Sequence, residues 1–392
     1  MQVDFDTNSI EDYKKFLKLK RLPVYSFRGL SAIVPDEYAS LLTGKKHRQA
    51  LLDYTPSGFL FDYQRDISKL AIRKQKFAVF AECGLGKTLI LLEFARHAAQ
   101  YGKTLIVSPL MVIPQTISEA RKAYPDIQIA QVKAANLQGW LEGPGDGSIG
   151  ITNYEAIKDS VTQGNLKALI LDESSMLKSH YGAWGTRLIE LGRGLEWKLC
   201  LTGTPAPNDR IEYANHAVFL DYMRTTNEFL ARYFVNRGET QNRWELMPHA
   251  LKPFYRDLSH WCIFLTNPAT YGWKDNCETI PPIHVHIDYI DLTPEQRAAS
   301  QKITGTMFVR EIGGIGERGK LAQLAKGKGG VATNKPEFIR SLVKSWPDES
   351  TIIWCRYNDE QDLMEKTFPD AISISGDTPD EARQQGVEDF NA

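Results

Sequence analysis

The sequence lacks three features that would point to a specialised class of protein. It has 392 residues but only five cysteines, and no two of these are separated by two residues, which argues against a disulfide framework or a zinc site. Lysine and arginine number 47 against 48 aspartate and glutamate, so the chain is not a bulk polycation. No apolar run is long enough to cross a membrane, and the acidic N-terminus does not resemble a signal peptide. We therefore expect an intracellular protein with reduced thiols.

The sequence does have the alternating pattern of an α/β protein. From about residue 60, short apolar segments predict strands and the stretches between them predict helices, among them a helix over 89–99. The predicted strands are 77–80, 104–107, 127–132, 149–151, 168–171 and 199–201. Buried strands separated by helices predict a parallel sheet with helices on both faces, which binds ligands at the carboxyl ends of its strands.

The pattern also divides the chain. We predict an accessory segment over 1–58, an α/β domain over 59–208, a helical insert over 209–282 and a second, smaller α/β domain over 283–392. The many aromatic residues of the insert favour packing between helices over stacking on nucleic-acid bases. In the last domain, strands are predicted at 283–291, 351–355 and 371–374, and the glycine-rich stretch 311–330 is predicted to be a loop or linker.

The strongest motif is a phosphate-binding loop over residues 81–88, with alanine in place of the usual first glycine. Gly84 and Gly86 would let backbone N–H groups curl around phosphates, and Lys87 would reach the β- and γ-phosphates of a nucleotide. The Thr88 hydroxyl would hold Mg²⁺. A predicted strand precedes this motif and a predicted helix follows it, which is the context that the chemistry requires.

Two further motifs end predicted strands of the same sheet. Asp172 and Glu173 follow an apolar strand; Asp172 would bind Mg²⁺, and Glu173 would orient and deprotonate the attacking water. The run Leu-Thr-Gly-Thr-Pro at 201–205 contains Thr202, Gly203 and Thr204. Taken alone, either run would be an ordinary turn; together with the phosphate loop they predict a nucleotide-hydrolysis site.

The three runs together resemble the Swi/Snf-like branch of the superfamily-two helicase-type ATPases, whose members carry E-x-G-L-G-K-T, D-E-x-H and L-T-G-T-P-x-x-N. The resemblance implies two RecA-like domains that bind ATP and Mg²⁺ between them and track double-stranded DNA. It implies that Thr202, Gly203 and Thr204 couple hydrolysis to domain movement.

Weaker runs occur in the order that this family would have. Gln64 resembles the glutamine that reads the adenine edge, for which an amide offers both a donor and an acceptor. The resemblance also implies that two loops contact nucleic-acid phosphates without reading bases. The residues of these loops are Ser108, Pro109, Thr152, Asn153 and Tyr154.

The resemblance fails at two places. Ser175 stands where most relatives have histidine, which puts in doubt the usual link between the nucleotide site and the third motif. The family's fifth motif and its sixth, whose arginines reach the γ-phosphate, do not appear before Ala392. We therefore expect an incomplete second domain, and a further C-terminal segment or a partner chain that supplies the arginine finger, which is worth roughly 10³–10⁵ in rate.

Three functions follow, of different classes. The first is an ATP-dependent translocase acting on double-stranded DNA, which we expect in the cytoplasm of a bacterium or of a virus-infected cell. The second is a nucleotide-gated DNA-binding module without turnover of its own, suggested by the two missing motifs. The third is a P-loop enzyme of small-molecule metabolism, against which the run at 201–205 and the Gln64 motif argue.

Overall fold

The computed structural model describes residues 2–22, 25–34, 42, 54–177, 183–238, 244–274, 283–304, 315–347 and 350–391. The chain forms two compact units, Met1–Ile280 and Pro281–Ala392. The predicted domain boundary at 282–283 falls at the edge of the described residues and stays a prediction.

The first unit begins with a small antiparallel sheet. Its elements are β1 (Gln2–Asp4), α1 (Ile10–Leu19), β2 (Ser26–Arg28) and β3 (Ser31–Ile33), with strand order β1-β3-β2. Ser9 caps the start of this helix, since its side chain accepts a hydrogen bond from the Asp12 N–H. A small apolar cluster that includes Leu19 and Ala32 joins the helix to the sheet.

The remainder of this unit is built on a seven-stranded sheet. The nine strands of this remainder are, in chain order, β4 (Lys76–Ala81), β5 (Lys103–Ser108), β6 (Ile129–Gln131), β7 (Ile149–Asn153), β8 (Leu166–Asp172), β9 (Trp197–Thr202), β10 (Phe234–Asn236), β11 (Trp244–Leu246) and β12 (Cys262–Leu265). Seven of them pair in parallel in the order β12-β4-β9-β8-β5-β7-β6, and β10 pairs with β11 in an antiparallel ribbon. The predicted parallel sheet is therefore confirmed.

Helices cover both faces of this sheet. They are α2 (Asp62–Lys74), α3 (Lys87–Ala98), α4 (Ile113–Ala123), α5 (Leu137–Glu142), α6 (Ala183–Leu191), α7 (Tyr213–Phe219), α8 (Thr226–Tyr233) and α9 (Leu251–Leu258). Successive residues of β4 point to opposite faces: Phe77 and Val79 pack with α2, α3 and α4, whereas Ala78 and Phe80 pack with the later helices. This two-sided burial explains why the strands read as continuous apolar runs.

The aromatic residues of 209–282 mostly pack against one another, as predicted. Phe254 is fully buried and its ring lies 5.4 Å from that of Tyr233 and 6.0 Å from that of Tyr213. The segment is not purely helical, however, because it contains the β10–β11 ribbon and then β12, which returns to the main sheet beside β4. A strand of four residues gives too short a pattern to be separated from a helix by its sequence.

The second unit differs from the prediction. Its helices are α10 (Pro294–Thr304), α11 (Ile315–Ala325), α12 (Lys335–Ser345), α13 (Asn358–Thr367) and α14 (Asp380–Asn391). Over its described residues no strand is formed, and the segments predicted as strands expose their apolar side chains; Tyr289 is 92% and Trp354 87% exposed. A strand exists only where a neighbour accepts and donates its backbone hydrogen bonds, which local pattern cannot show. Residues 315–325, predicted as part of a linker, form α11.

None of the helices in the described ranges is both long enough and apolar enough to span a bilayer.

Candidate active site

The predicted motifs meet at one edge of the seven-stranded sheet. Strands β4, β9, β8 and β5 are adjacent and parallel, with Phe80 opposite Thr202, Leu201 opposite Asp172, and Leu171 opposite Val107. Because the strands run in the same direction and end in register, the residues that follow them lie side by side. The site therefore arises from chain segments up to about 120 residues apart that share the carboxyl edge of one sheet.

The phosphate-binding loop connects β4 to α3. Gly86 lies immediately before the helix in the left-handed region, with φ 66° and ψ 41°. The backbone conformation favours glycine, and a Cβ atom at this position would overlap the Nε2 atom of Gln64 and force that amide to move. The loop thus presents backbone N–H groups and the positive end of α3, which is the usual arrangement for binding phosphate.

Lys87 lies over the start of this loop. Its Nζ atom donates hydrogen bonds to the backbone oxygens of Ala81, at 3.0 Å, and Glu82, at 3.2 Å. The same Nζ atom is 3.8 Å from the point where a Cβ on Gly203 would stand. The ammonium group is therefore held between the loop and the third motif, at the place where the phosphates of a nucleotide would enter.

Asp172 ends β8 and is almost completely buried. Its Oδ2 atom accepts a hydrogen bond from the Ser108 hydroxyl at 2.9 Å. Burial is the main cause that raises the pKa of this carboxyl group, and the neighbouring Glu173 also raises it, while Ser108 and the charge of Lys87 lower it. A buried carboxylate with few donors suits a divalent cation, which would restore its ionised form.

The protein alone does not build a complete metal site within the described residues, where no group of three or more candidate side chains gathers. Mg²⁺ commonly takes one or two protein ligands and completes its six positions with phosphate oxygens and water. Asp172 and Thr88, which stands in the first turn of α3, fit that mode of binding.

Glu173 is oriented by two constraints. Its backbone has φ 49°, an uncommon conformation for a residue with a side chain and one that occurs at functional sites. Its Oε2 atom accepts a hydrogen bond from the Thr202 hydroxyl at 3.0 Å, and that hydroxyl oxygen in turn accepts the N–H of Thr204 at 3.1 Å. The second and third motifs are therefore joined directly, through a glutamate and a threonine.

The serine at position 175 put the link between the nucleotide site and the third motif in doubt. In the structure, the neighbouring Ser174 makes a contact of its own. The Ser174 hydroxyl lies 3.1 Å from the Nε2 atom of His216 on α7, and the other ring nitrogen lies 3.4 Å from the Glu212 carbonyl oxygen. Asn208, beyond the third motif, donates to the Glu212 carboxylate at 2.8 Å. Helix α7 thus contacts the second motif through His216, and Glu212, the residue just before the helix, contacts Asn208. Its sequence gave no signal of this, because a buried histidine is more often part of a core.

Gln64 lies beneath the phosphate-binding loop. It is 2% exposed; its Oε1 atom accepts the Phe61 N–H at 3.0 Å, and its Nε2 atom donates to the Leu85 carbonyl oxygen at 3.3 Å. The amide therefore ties the first turn of α2 to the loop. Its pairing with an adenine edge stays a prediction.

The residues predicted to contact nucleic acid divide into two groups. Ser108, Thr152 and Tyr154 are buried, and their hydroxyls already donate to protein oxygens; that of Tyr154 reaches the Asp172 carbonyl oxygen at 2.6 Å. Pro109 and Asn153 are half-buried. Contact with phosphates stays a prediction for all five, and the three hydroxyl groups would have to exchange their present partners to make it.

Comparison with known proteins assigns the chain that carries this site to a family. The SNF2-related domain matches residues 77–342, which include Lys87, Asp172, Glu173 and Thr202. The chain belongs to the SNF2-related domain family. The SNF2-related match begins at Phe77, after Gln64, so the glutamine motif lies outside it.

The chain is similar to several SNF2-related proteins of known identity. It is 26% identical over 212 residues to the DNA annealing helicase and endonuclease ZRANB3 of Mus musculus, a match over 51% of this chain and 20% of that protein. It is 30% identical over 240 residues to a Caenorhabditis elegans homologue of a SWI/SNF-related, matrix-associated, actin-dependent chromatin regulator containing DEAD/H box 1, a match over 55% of this chain and 23% of the relative. The matched part is thus about a fifth of those proteins.

Among solved structures, the chain is similar to the Sulfolobus solfataricus SWI2/SNF2 ATPase core in complex with dsDNA. The sequence identity is 17% and the TM-score 0.47, over 86% of this chain and 76% of that chain.

Proposed function

We propose that this SNF2-related chain is an ATP-driven motor that translocates on double-stranded DNA. The observation that carries the proposal is the meeting of Lys87, Asp172, Glu173 and Thr202 at the carboxyl edge of one sheet, within the region that matches the family. These are the groups that nucleotide hydrolysis needs: a phosphate cradle, a cation ligand, a base and a connection to a moving element.

Each residue has a distinct task in the proposed hydrolysis. Lys87, which now donates to two backbone oxygens, exchanges them for the β- and γ-phosphates. Asp172 and Thr88 would hold Mg²⁺, which when bound would supply positive charge against the phosphates. Glu173 orients a water molecule and takes its proton, while the Thr202 hydroxyl holds the carboxylate in place.

The same hydroxyl connects the chemistry to movement. Because Thr202 contacts Glu173 and the Thr204 N–H, a change in the position of the carboxylate changes the contacts of the third motif. Helix α7 provides a second route through Ser174 and His216. We propose that this direct connection takes the place of the histidine that most relatives have at the position of Ser175.

DNA as the track is inferred from the relatives, whose names describe a DNA annealing helicase and an ATPase core bound to dsDNA. In the second unit, the charged ends of Lys326, Lys328 and Arg356 lie 5.6 to 5.8 Å from the centre of the Tyr357 ring. Lys328 and Arg356 are exposed. We propose that these two contact backbone phosphates, and that binding weakens with salt along a shallow slope because few ion contacts are made.

The test is ATP hydrolysis by the chain with and without double-stranded DNA. We expect turnover that DNA stimulates, and a fall of about 10²-fold or more in Lys87→Ala and in Glu173→Gln. Glu173→Gln keeps ATP binding, because it retains the loop and Lys87. The matched control is Glu142→Gln, an exposed glutamate on α5, which is expected to turn over as the wild type does.

The possible results separate the three functions. Binding of ATP and DNA without any turnover would favour the gated module over the motor. Turnover that is indifferent to DNA and RNA would favour a P-loop enzyme of small-molecule metabolism. Unchanged hydrolysis in both Lys87→Ala and Glu173→Gln would overturn the assignment of the site.

A further inference from the structure

Four aromatic rings form a continuous row beside the phosphate-binding loop. The rings of Phe61 and Tyr63 are stacked with their centres 5.9 Å apart and 20° between their planes. The ring centre of Tyr63 lies 6.4 Å from that of Trp273, and the ring centre of Trp273 lies 5.4 Å from that of Tyr271. The row joins the start of α2 to the segment after β12, which carries none of the motifs found in the sequence.

The edge strand β12 brings that second segment to the loop. Leu265 lies opposite Ala81, and its carbonyl oxygen accepts the N–H of Glu82, the first residue after β4, at 3.0 Å. Residues 266–274 therefore leave the sheet next to the phosphate-binding loop. At the other end of the row, the Tyr63 hydroxyl donates to the Leu85 carbonyl oxygen in the same loop at 3.1 Å.

Hydrogen bonds fix the rings of the second segment. The Trp273 Nε1 atom donates to the Asp66 carboxylate at 2.8 Å, and the Tyr271 hydroxyl donates to the Phe264 carbonyl oxygen at 2.7 Å. The Lys274 N–H donates to the Asp62 carboxylate at 3.1 Å, and this bond is the main cause that lowers the pKa of Asp62. The segment is thus attached to the first two turns of α2.

Exposure distinguishes the ends of the row from its middle. Tyr63 is buried and Trp273 half-buried, as core packing requires, but Phe61 is 52% and Tyr271 53% exposed. Immobilised, half-exposed rings beside a phosphate cradle offer a flat apolar surface to the base of a nucleotide whose phosphates are held by the loop. Stacking of a base on an aromatic ring would add to the affinity for the nucleotide without involving its phosphates.

We propose that Tyr271 is a base-contacting residue, and that the row extends the purine site of a nucleoside triphosphate from Phe61 to the segment after β12. This inference rests on the proposed nucleotide binding. Trp273 is a positioning residue, because it holds Tyr271 and is itself tied to Asp66. Tyr271 contributes affinity for the base and none for the phosphates.

The test compares two ligands, Mg-ATP and Mg-tripolyphosphate, which has the phosphates without the base. Dissociation constants are measured by calorimetry for the wild type, Tyr271→Ala, Tyr271→Phe and a control. We expect Tyr271→Ala to weaken ATP binding about 5-fold or more and to leave tripolyphosphate binding unchanged. Tyr271→Phe keeps the ring but loses the hydroxyl bond to Phe264, so it should bind tripolyphosphate as the wild type does and ATP more tightly than Tyr271→Ala does.

The control is Tyr101→Ala. Tyr101 is 41% exposed, similar to Tyr271, but it precedes β5 and so lies at the amino edge of the sheet, away from the loop. Unchanged ATP binding in Tyr271→Ala would overturn the inference, and so would equal weakening of both ligands, which would indicate a distorted loop. If the wild type bound neither ligand, the proposed nucleotide site would be overturned. If it bound tripolyphosphate as tightly as ATP, the phosphate site would stand and only the inferred base contact would be overturned.

Discussion

At the scale of single residues, the positions of two adjacent carboxyl groups are set by different neighbours. Asp172 is buried and receives the Ser108 hydroxyl, whereas Glu173 is turned out of the strand direction by its left-handed backbone and receives the Thr202 hydroxyl. In the proposed mechanism, these consecutive residues would present one carboxylate to a cation and the other to water. The different environments separate the two roles.

The Thr202 hydroxyl gives a direct test of this separation. Thr202→Val keeps the shape and removes the donor to Glu173, so we expect kcat for ATP to fall about 10-fold or more while the dissociation constant for ATP stays within about 2-fold. Thr202→Ser restores the hydroxyl and should recover most of the rate. A Thr202→Val protein with wild-type kcat would show that this hydrogen bond does not position the base.

His216 predicts a pH dependence of stability. Burial lowers its pKa to about 4, and the Glu212 carbonyl and Ser174 only partly offset that effect. In the unfolded chain the ring has its ordinary pKa near 6.5. Between these values the unfolded chain binds a proton that the folded chain does not, so the free energy of unfolding decreases as the pH falls from 6.5 to 4. The largest loss is roughly 3 kcal/mol.

Urea unfolding at several pH values checks this prediction. His216→Gln has no ring to protonate, so its stability should fall less steeply than that of the wild type over the same range. The control is His249→Gln, an exposed histidine, which should follow the wild type. Equal slopes in all three proteins would contradict the buried, neutral state of His216.

At the scale of elements, the phosphate-binding loop depends on one backbone conformation where β4 passes into α3. Gly86→Ala places a Cβ in the left-handed region, at a cost of about 1 kcal/mol or more, and against the Gln64 amide. We expect a lower melting temperature and ATP binding weakened about 10-fold or more.

Gly58→Ala is the matched control for this variant. No atom lies within 4 Å of the position of a new Cβ on Gly58, and its φ is outside the left-handed region. Its melting temperature and ATP affinity should equal those of the wild type or rise slightly. A Gly86→Ala protein that behaved in the same way would mean that the loop adopts another conformation.

Across the molecule, the two units differ in how far they bury their apolar side chains. The first unit buries them on both faces of a sheet, whereas the described part of the second exposes several of them between its helices. Trp261, next to β12, is 3% exposed, and Trp354 of the second unit is 87% exposed.

Tryptophan fluorescence measures this difference. The emission lost in Trp354→Phe should be that of a solvated indole and should be quenched readily by acrylamide. The emission lost in Trp261→Phe should be that of a shielded indole and should resist the quencher. A shielded Trp354 would show that 351–355 has a strand neighbour after all.

How much was predictable depends on the range of the interactions involved. Six of the seven strands of the main sheet, α3 and the three principal motifs were predicted because each depends on a pattern within about ten residues. Strand β12 was not predicted, since its four residues are recognisable as a strand only from their pairing with β4. Likewise, the strands predicted for 351–355 and 371–374 have the right composition but no described neighbour to pair with.

Local sequence patterns were sufficient to predict the fold class of the first unit and the candidate groups for nucleotide chemistry. Each motif follows directly on a buried apolar strand, so the strand and its glycine, carboxylate or hydroxyl residues form one short, contiguous pattern. Such a pattern can be recognised without knowing which strands are neighbours. Tertiary structure alone decided which groups touch: the Glu173–Thr202 bond, the Ser174–His216 contact and the ring row that ends at Tyr271. These contacts depend on the order and register of parallel strands, and hydrogen bonds between distant segments leave no periodic trace in the sequence.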